Sequence, residues 1–222
     1  MLTAIREGGP FVWTLLVCSV ISVTLIFERT FYLRRGRIMP VEILRALEKT
    51  NDPSQIGWLR TACEAKPSPL SRLALAALDQ MRWPRSEAES AVEVQARQEV
   101  VQMERGLGIL EVITGIAPLL GLVGTIYGII PIFGDFGKVM GGDNTFLARG
   151  IGLALNKTLV GLLVAIPSLA AWTYFNRKVE ALAVELEGAC SHFIRTAYRA
   201  AEASALPTGS AAKVPPSEGR SA

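Results

Sequence analysis

The 222-residue chain has a single histidine and three cysteines. Cys18, Cys63 and Cys190 make no CxxC pair and stand far from any metal-ligand spacing, so neither a metal site nor a redox pair is signalled. His192 lacks the serine and aspartate companions of a nucleophilic set and is read as a surface or helix-packing residue. The run GIGLAL has two glycines but no preceding strand, and neither GxGxxG nor GxxxxGK[ST] occurs. These absences argue against an enzyme, and no cofactor or metal is expected. A formal charge of +3 is too mild to suggest nucleic acid as a partner.

Charge is missing most tellingly from three long runs. Residues 8–27, 112–134 and 158–176 carry none, bounded by Glu7 and Glu28, by Glu111 and Asp135, and by Lys157 and Arg177. Each is about the 20 residues that cross a hydrocarbon core at 1.5 Å per residue. Only a helix satisfies its own backbone there, so all three are expected to be transmembrane helices. A cleaved leader is the alternative for the first run. That run is longer than a usual leader core, and ERTFYLRRGR follows it rather than a small-x-small cleavage site, so a retained helix is expected.

Basic residues set the orientation. Arg29, Arg34, Arg35 and Arg37 follow the first run, and Arg177 and Lys178 follow the third. Arg6 alone precedes the first, and Lys138 and Arg149 lie between the second and third. The N-terminus is expected outside and the C-terminus in the cytoplasm. The thiols then fall one in lipid and two on the reducing cytoplasmic side.

The fold class expected is all-α: an integral membrane protein of three transmembrane helices with long cytoplasmic helical extensions. The expected divisions are an outer N-terminus at 1–10, helices at 11–33, 108–134 and 150–176, a cytoplasmic helical region at 34–107, an outer loop at 135–149, a cytoplasmic helix at 177–201 and a disordered tail at 202–222. Within the cytoplasmic region Pro40 opens PVEILRALEK, Asn51-Asp52-Pro53 makes a turn, and Pro67-Ser68-Pro69 and Trp83-Pro84 break the chain. Ser86 and Glu89 read as a capping box. Val92, Ala96, Val100, Met103, Leu107 and Leu110 form one apolar stripe, with only Gly106 and Gly108 as breakers. Val179, Leu182, Leu186, Cys190, Phe193 and Ala197 form a second. The stripes predict helices that project from the membrane and pack as a bundle; separate short amphipathic helices are the alternative. The outer loop DFGKVMGGDNTFLAR is short and glycine-rich, and the tail from Leu206 is rich in Pro, Gly, Ser and Ala.

Inside the spans, small residues share faces. Ala117, Gly121 and Thr125 are four apart, with Gly124 and Gly128 beside them. Ala154, Thr158, Gly161, Ala165 and Ser168 match them in the third span. Such faces let helix backbones approach closely in lipid. Pro118, Pro131 and Pro167 each remove a backbone hydrogen bond and favour kinks. Thr125 and Thr158 are the two hydroxyls placed to face a polar lumen, although such a threonine also bonds its own i−4 carbonyl. Lys157 is a charge in a membrane helix, read either as functional or as snorkelling to the headgroups, with polar Asn156 beside it. No span carries Asp, Glu or His at its middle, so if protons or sodium ions pass, the titrating carboxylate has to come from another subunit.

The words GIAPLLGLVGTIYGII and GIGLALNKTLVGLLVAIPSLAAWTYFNRKVE, with ERTFYLRR after the first span, resemble the MotA/TolQ/ExbB proton channel family in its three-span TolQ/ExbB-like branch. The resemblance covers the end of the first span and most of 106–199. It implies a homopentamer in the bacterial inner membrane around a pore holding the single helices of two copies of an ExbD/TolR-like partner, whose membrane aspartate carries the ion. It implies a proton as the translocated ion, with sodium second, and a motor that energises biopolymer transport or outer-membrane processes through a TonB/TolA-like energy transducer. Thr125 and Thr158 match the family's two pore threonines. TolQ and ExbB commonly carry Glu five residues before the second; here that position is Leu153, with Asn156 and Lys157 nearby. The competing reading is a non-conducting membrane scaffold that anchors a cytoplasmic helical bundle.

Overall fold

The structure is a computed structural model, described over residues 9–49, 56–136 and 144–205. The expected turn at Asn51-Asp52-Pro53, the centre of the outer loop with Lys138, the N-terminus with Arg6 and the tail from Leu206 lie outside the described residues. Every regular element among the described residues is a helix: α1 Gly9–Tyr32, α2 Arg35–Ile38, α3 Val41–Lys49, α4 Ile56–Ala65, α5 Pro69–Gln80, α6 Arg85–Glu104, α7 Leu107–Phe136 and α8 Asn144–Ala205. α1, α7 and α8 are long and apolar enough to cross a membrane. The all-α, three-span architecture is therefore as the sequence dictates.

Two apolar cores follow from the two kinds of sequence. Within the membrane, Leu15 of α1, Ile113 and Ala117 of α7 and Ala165 of α8 form a small core. Beyond it, both predicted stripes meet. Val92, Ala96, Met103 and Leu107 pack with Val179, Leu182, Leu186, Cys190 and Phe193, and with Leu59, Leu70 and Leu73 of the short helices. The expected bundle is present. α8 is one uninterrupted helix from the membrane to Ala205, so the third span and the helix after it are one rod that takes in positions 202–205. α7 likewise reaches Phe136, and Pro118, Pro131 and Pro167 all lie inside continuous helices.

The punctuation differs in two places. α6 starts at Arg85 with Pro84 as its cap, and no side chain caps it. Ser86 and Glu89 make no capping box. Ser86 lies inside the first turn, and Glu89 accepts from Arg85 Nε at 2.9 Å one turn away. The fixed φ of Pro84 starts this helix in place of a side-chain cap. Pro67-Ser68-Pro69 does work as read: Ser68 Oγ accepts from Ser71 N at 3.1 Å with Pro69 in the first turn of α5.

The second difference is a break between α6 and α7. Gly106 has φ +88°, a left-handed conformation that glycine adopts without steric cost. Arg29 of α1 closes over it. Its guanidinium lies 3.1–3.5 Å from where a Gly106 Cβ would stand, and its Nη1 donates to Met103 O at 3.3 Å. Met103 O is one of the carbonyls left open at the end of α6, where a cation is favoured. The ring of Tyr32 lies 5.2 Å from the same guanidinium.

α5 and α6 are joined by a charge pair. Glu99 is buried, and Arg72 donates from Nε to its Oε1 at 2.7 Å and from Nη2 to Oε2. Arg72→Met is expected to leave that carboxylate uncompensated. The loss is about 2 kcal/mol, less than for a fully enclosed pair because the Arg72 side chain keeps 42% exposure. A thermal melt of the purified protein checks it. Burial also pushes the Cys190 thiol, in the part of α8 beyond the membrane, up to about 12. Its alkylation in the native protein is expected to keep rising about tenfold per pH unit past pH 9, where an ordinary thiol levels off. A rate plateau near pH 9 would contradict that burial.

Candidate functional site: the α7–α8 crossing

α7 and α8 run against each other with their backbones in contact. A Cβ added to Gly161 would lie 2.6 Å from Ala117 O and 3.1 Å from Gly121 Cα. One added to Gly121 would lie 3.1 Å from Lys157 O and from Thr158 Cα. Ala117, Ala154 and Ala165 are buried on the same faces. The small residues singled out in the sequence thus do meet, and Gly121 with Gly161 is their tightest point. Gly124 and Gly128 serve a different neighbour. A Cβ on Gly124 meets Phe11 Cβ at 3.4 Å and Lys157 Cβ at 3.5 Å, both side-chain atoms in ordinary contact.

The crossing places the two threonines side by side. Thr125 Oγ1 and Thr158 Oγ1 are hydrogen-bonded to each other. Thr125 Oγ1 also reaches Gly121 O at 3.0 Å and Ala154 O at 3.2 Å, and Thr158 Oγ1 reaches Gly121 O at 3.3 Å. Thr125 therefore does bond its own i−4 carbonyl, and a second hydroxyl joins it from the facing helix. Thr125 is buried and Thr158 half-buried within the protomer. The close backbone approach is what brings so many acceptors together, because a carbonyl shielded by a larger side chain is out of reach of the opposite helix.

The polar neighbours diverge. Asn156 is exposed, on the far side of α8 from the pair. Lys157 is half-buried and sends its side chain across Gly124 toward Gly128, where a Cβ would stand 3.0 Å from Nζ. Leu153 is 39% exposed. One polar contact was not singled out in the sequence. Ser22 of α1 and Ser168 of α8 are buried and hydrogen-bonded at 2.6 Å, which ties the first span to the third in the apolar layer. A serine within an apolar run is the only signal for it. Among the described residues no cluster of three metal-ligating side chains occurs.

Gly161→Ala is expected to separate α7 from α8, since the new methyl meets backbone that cannot rotate away. Gly124→Ala is expected to be tolerated. Thermal melts of the two purified variants separate them: a clear loss of stability in the first only is the anticipated result.

The geometry stands beside known proteins as follows. The profile of the MotA/TolQ/ExbB proton channel family matches residues 65–188. The chain is 32% identical over 169 residues to the biopolymer transport protein exbB1 of Vibrio cholerae, covering 74% of each chain. It is 34% identical over 173 residues to the putative biopolymer transport protein ExbB-like 1 of Synechocystis, covering 76% of this chain and 68% of that protein. It is 31% identical over 183 residues to a putative biopolymer transport protein ExbB homolog of Methanothermobacter thermautotrophicus, covering 81% and 64%. The matched region includes the α6–α7 break, the glycine crossing and both threonines, and by this likeness the multi-pass membrane chain belongs to the MotA/TolQ/ExbB proton channel family.

Proposed function

We propose that the chain is the pore-forming subunit of a motor driven by the proton-motive force, which energises biopolymer transport in the bacterial inner membrane. Relatives named as biopolymer transport proteins support the process. The observation that carries the mechanism is the hydroxyl pair at the α7–α8 crossing.

Each threonine hydroxyl has one proton and two lone pairs. Two protons therefore serve a set of contacts that offers more acceptors than donors. In one arrangement Thr158 donates to Thr125, which donates to Gly121 O or Ala154 O. In the other Thr125 donates to Thr158, which donates to Gly121 O. The two differ only in hydroxyl rotation. A pair that can reverse direction offers a lone pair to a hydronium or another hydrated ion from either side without rebuilding the helices. No carboxylate occurs in residues 112–134 or 150–176. The titrating group in this reading is the membrane aspartate of an ExbD/TolR-like single-span partner, two copies of which stand inside a homopentamer of this chain, with a TonB/TolA-like transducer carrying force outward. The N-terminus is outside and the C-terminus cytoplasmic, following the basic residues of α2 and the start of the α8 extension. The proton is the ion of this reading, with sodium second.

One observation favours the scaffold reading: within the protomer both hydroxyls are already hydrogen-bonded, as a pair that only fastens helices would be.

Variants at Thr158 separate the readings. Thr158→Val keeps the shape and removes the hydroxyl. It is expected to abolish ion-coupled activity, at least tenfold, with the oligomer intact, while Thr158→Ser retains most activity. Uncoupler-sensitive transport in cells and native mass spectrometry of the same preparations give the two readouts. Full activity of Thr158→Val establishes the scaffold.

A further inference from the structure

One face of α1 is a continuous apolar strip that the protomer leaves open. Trp13, Val20, Phe27 and Phe31 follow one another at seven, seven and four positions, which keeps them within about 40° of one line along the helix. Each is more than half exposed. α7 and α8 cover the opposite face, where Leu15 enters the membrane core and Ser22 bonds Ser168. From Val20 to Phe31 is about 16 Å of helix, roughly half the depth of a hydrocarbon core. The strip is therefore as long as one leaflet is deep.

At the bundle end the strip runs into positive charge. Arg29, Arg34, Arg35 and Arg37 fall within nine positions. Two of them are engaged inside the chain: Arg29 closes the α6–α7 break with Glu28 at 3.6 Å, and Arg35 pairs with Glu185 at 2.9 Å. Arg34 and Arg37 are exposed and, among the described residues, have no carboxylate partner. Each lies over a ring instead. The Arg34 guanidinium is 5.0 Å from the centre of the Phe31 ring, and that of Arg37 is 5.8 Å from the centre of Tyr32. A guanidinium held over a ring is oriented, yet its N–H edge stays free for the oxygens of a phosphate. Arg29 stands 5.2 Å from the same Tyr32 ring, so like charges crowd there and an anion lowers their mutual repulsion. Between the two free arginines, a Cβ on Gly36 would meet nothing within 4 Å. The space beside them is open.

We propose that this end of α1 binds an anionic phospholipid from the leaflet on the bundle side. Its phosphate meets Arg34 and Arg37, and an acyl chain lies along Phe31, Phe27 and Val20. Phe31 belongs to both halves of the site, because it ends the strip and carries the guanidinium of Arg34. The apolar strip selects a lipid over a soluble phosphate. The two unpaired cations select a headgroup of net negative charge over phosphocholine, whose own ammonium they oppose. The surface lies apart from the α7–α8 crossing, and nothing in it depends on ion conduction.

Native mass spectrometry of the full-length protein in detergent, titrated with phosphatidylglycerol or phosphatidylcholine, tests it. The unchanged protein is expected to take up phosphatidylglycerol at about tenfold lower concentration than phosphatidylcholine. Arg34→Gln with Arg37→Gln is expected to abolish that preference, and Arg35→Gln to keep most of it. Equal uptake of the two lipids by the unchanged protein overturns the proposal, as does a full preference in the double variant. An equal loss in Arg35→Gln overturns the assignment to Arg34 and Arg37. Inorganic phosphate at the lipid's own concentration is expected not to displace phosphatidylglycerol; displacement overturns the lipid as occupant. Should the double variant not survive purification, the single variants Arg34→Gln and Arg37→Gln are each expected to weaken phosphatidylglycerol uptake about threefold. Unchanged uptake in both overturns the site.

Discussion

The contact between Gly161 and the α7 backbone is the constraint from which the membrane half follows. Apolar burial gives helices little reason to associate in lipid, so close packing and short polar contacts must do it. Here a 2.6 Å clearance to Ala117 O excludes even a methyl group. That closeness brings Gly121 O and Ala154 O within reach of hydroxyls on either helix. The polar pair is thus a product of the glycines: widen the crossing and the hydroxyls lose their shared acceptors. The Ser22–Ser168 bond repeats the pattern between α1 and α8 on a smaller scale.

The two halves of the molecule are unequal in self-sufficiency. The extramembrane bundle closes on itself, with Leu59, Leu70, Leu73, Met103, Leu186 and Phe193 all but inaccessible. The membrane helices keep only a thin shared core. Trp13, Val17, Leu119, Ile126, Leu163 and Ile166 remain more than half exposed in the protomer. Such surfaces are at ease in lipid or against other membrane helices, and in water they would aggregate. The extramembrane part thus has a core of its own, while the membrane part leaves most of its apolar surface for lipid or other helices.

What the sequence made legible was whatever depends on composition and period. The three uncharged runs became α1, α7 and the first part of α8, and both apolar stripes are buried residue for residue apart from a half-exposed Val100. The small faces met as spaced. What it hid depended on distance along the chain or on backbone detail. Glu99 looks like one more acid in a charged helix; only Arg72 on another helix makes it a buried pair. Arg29 reads as a flanking charge for topology, yet it closes the α6–α7 break. The capping box at Ser86 failed because Pro84 started the helix two residues early. Among four spaced glycines, nothing in the spacing says that Gly121 contacts backbone and that Gly124 and Gly128 contact a lysine. Crossing angle decides that, and it is set by all the neighbours together.

α8 passes without interruption from the membrane crossing to the far end of the bundle. From Thr158 to Ala197 is about 58 Å of continuous helix at 1.5 Å per residue. Its inner length is clamped by the bundle core, and its outer length is held at one narrow fulcrum. A tilt of about 10° at that fulcrum would sweep the distal end by about 10 Å if the bundle were free to follow. Pro167 lies within that length and removes one of its backbone hydrogen bonds, so bending between Thr158 and the bundle concentrates there. Beyond that point the helix is clamped by the bundle core, whose close packing limits how far the membrane helices can lean.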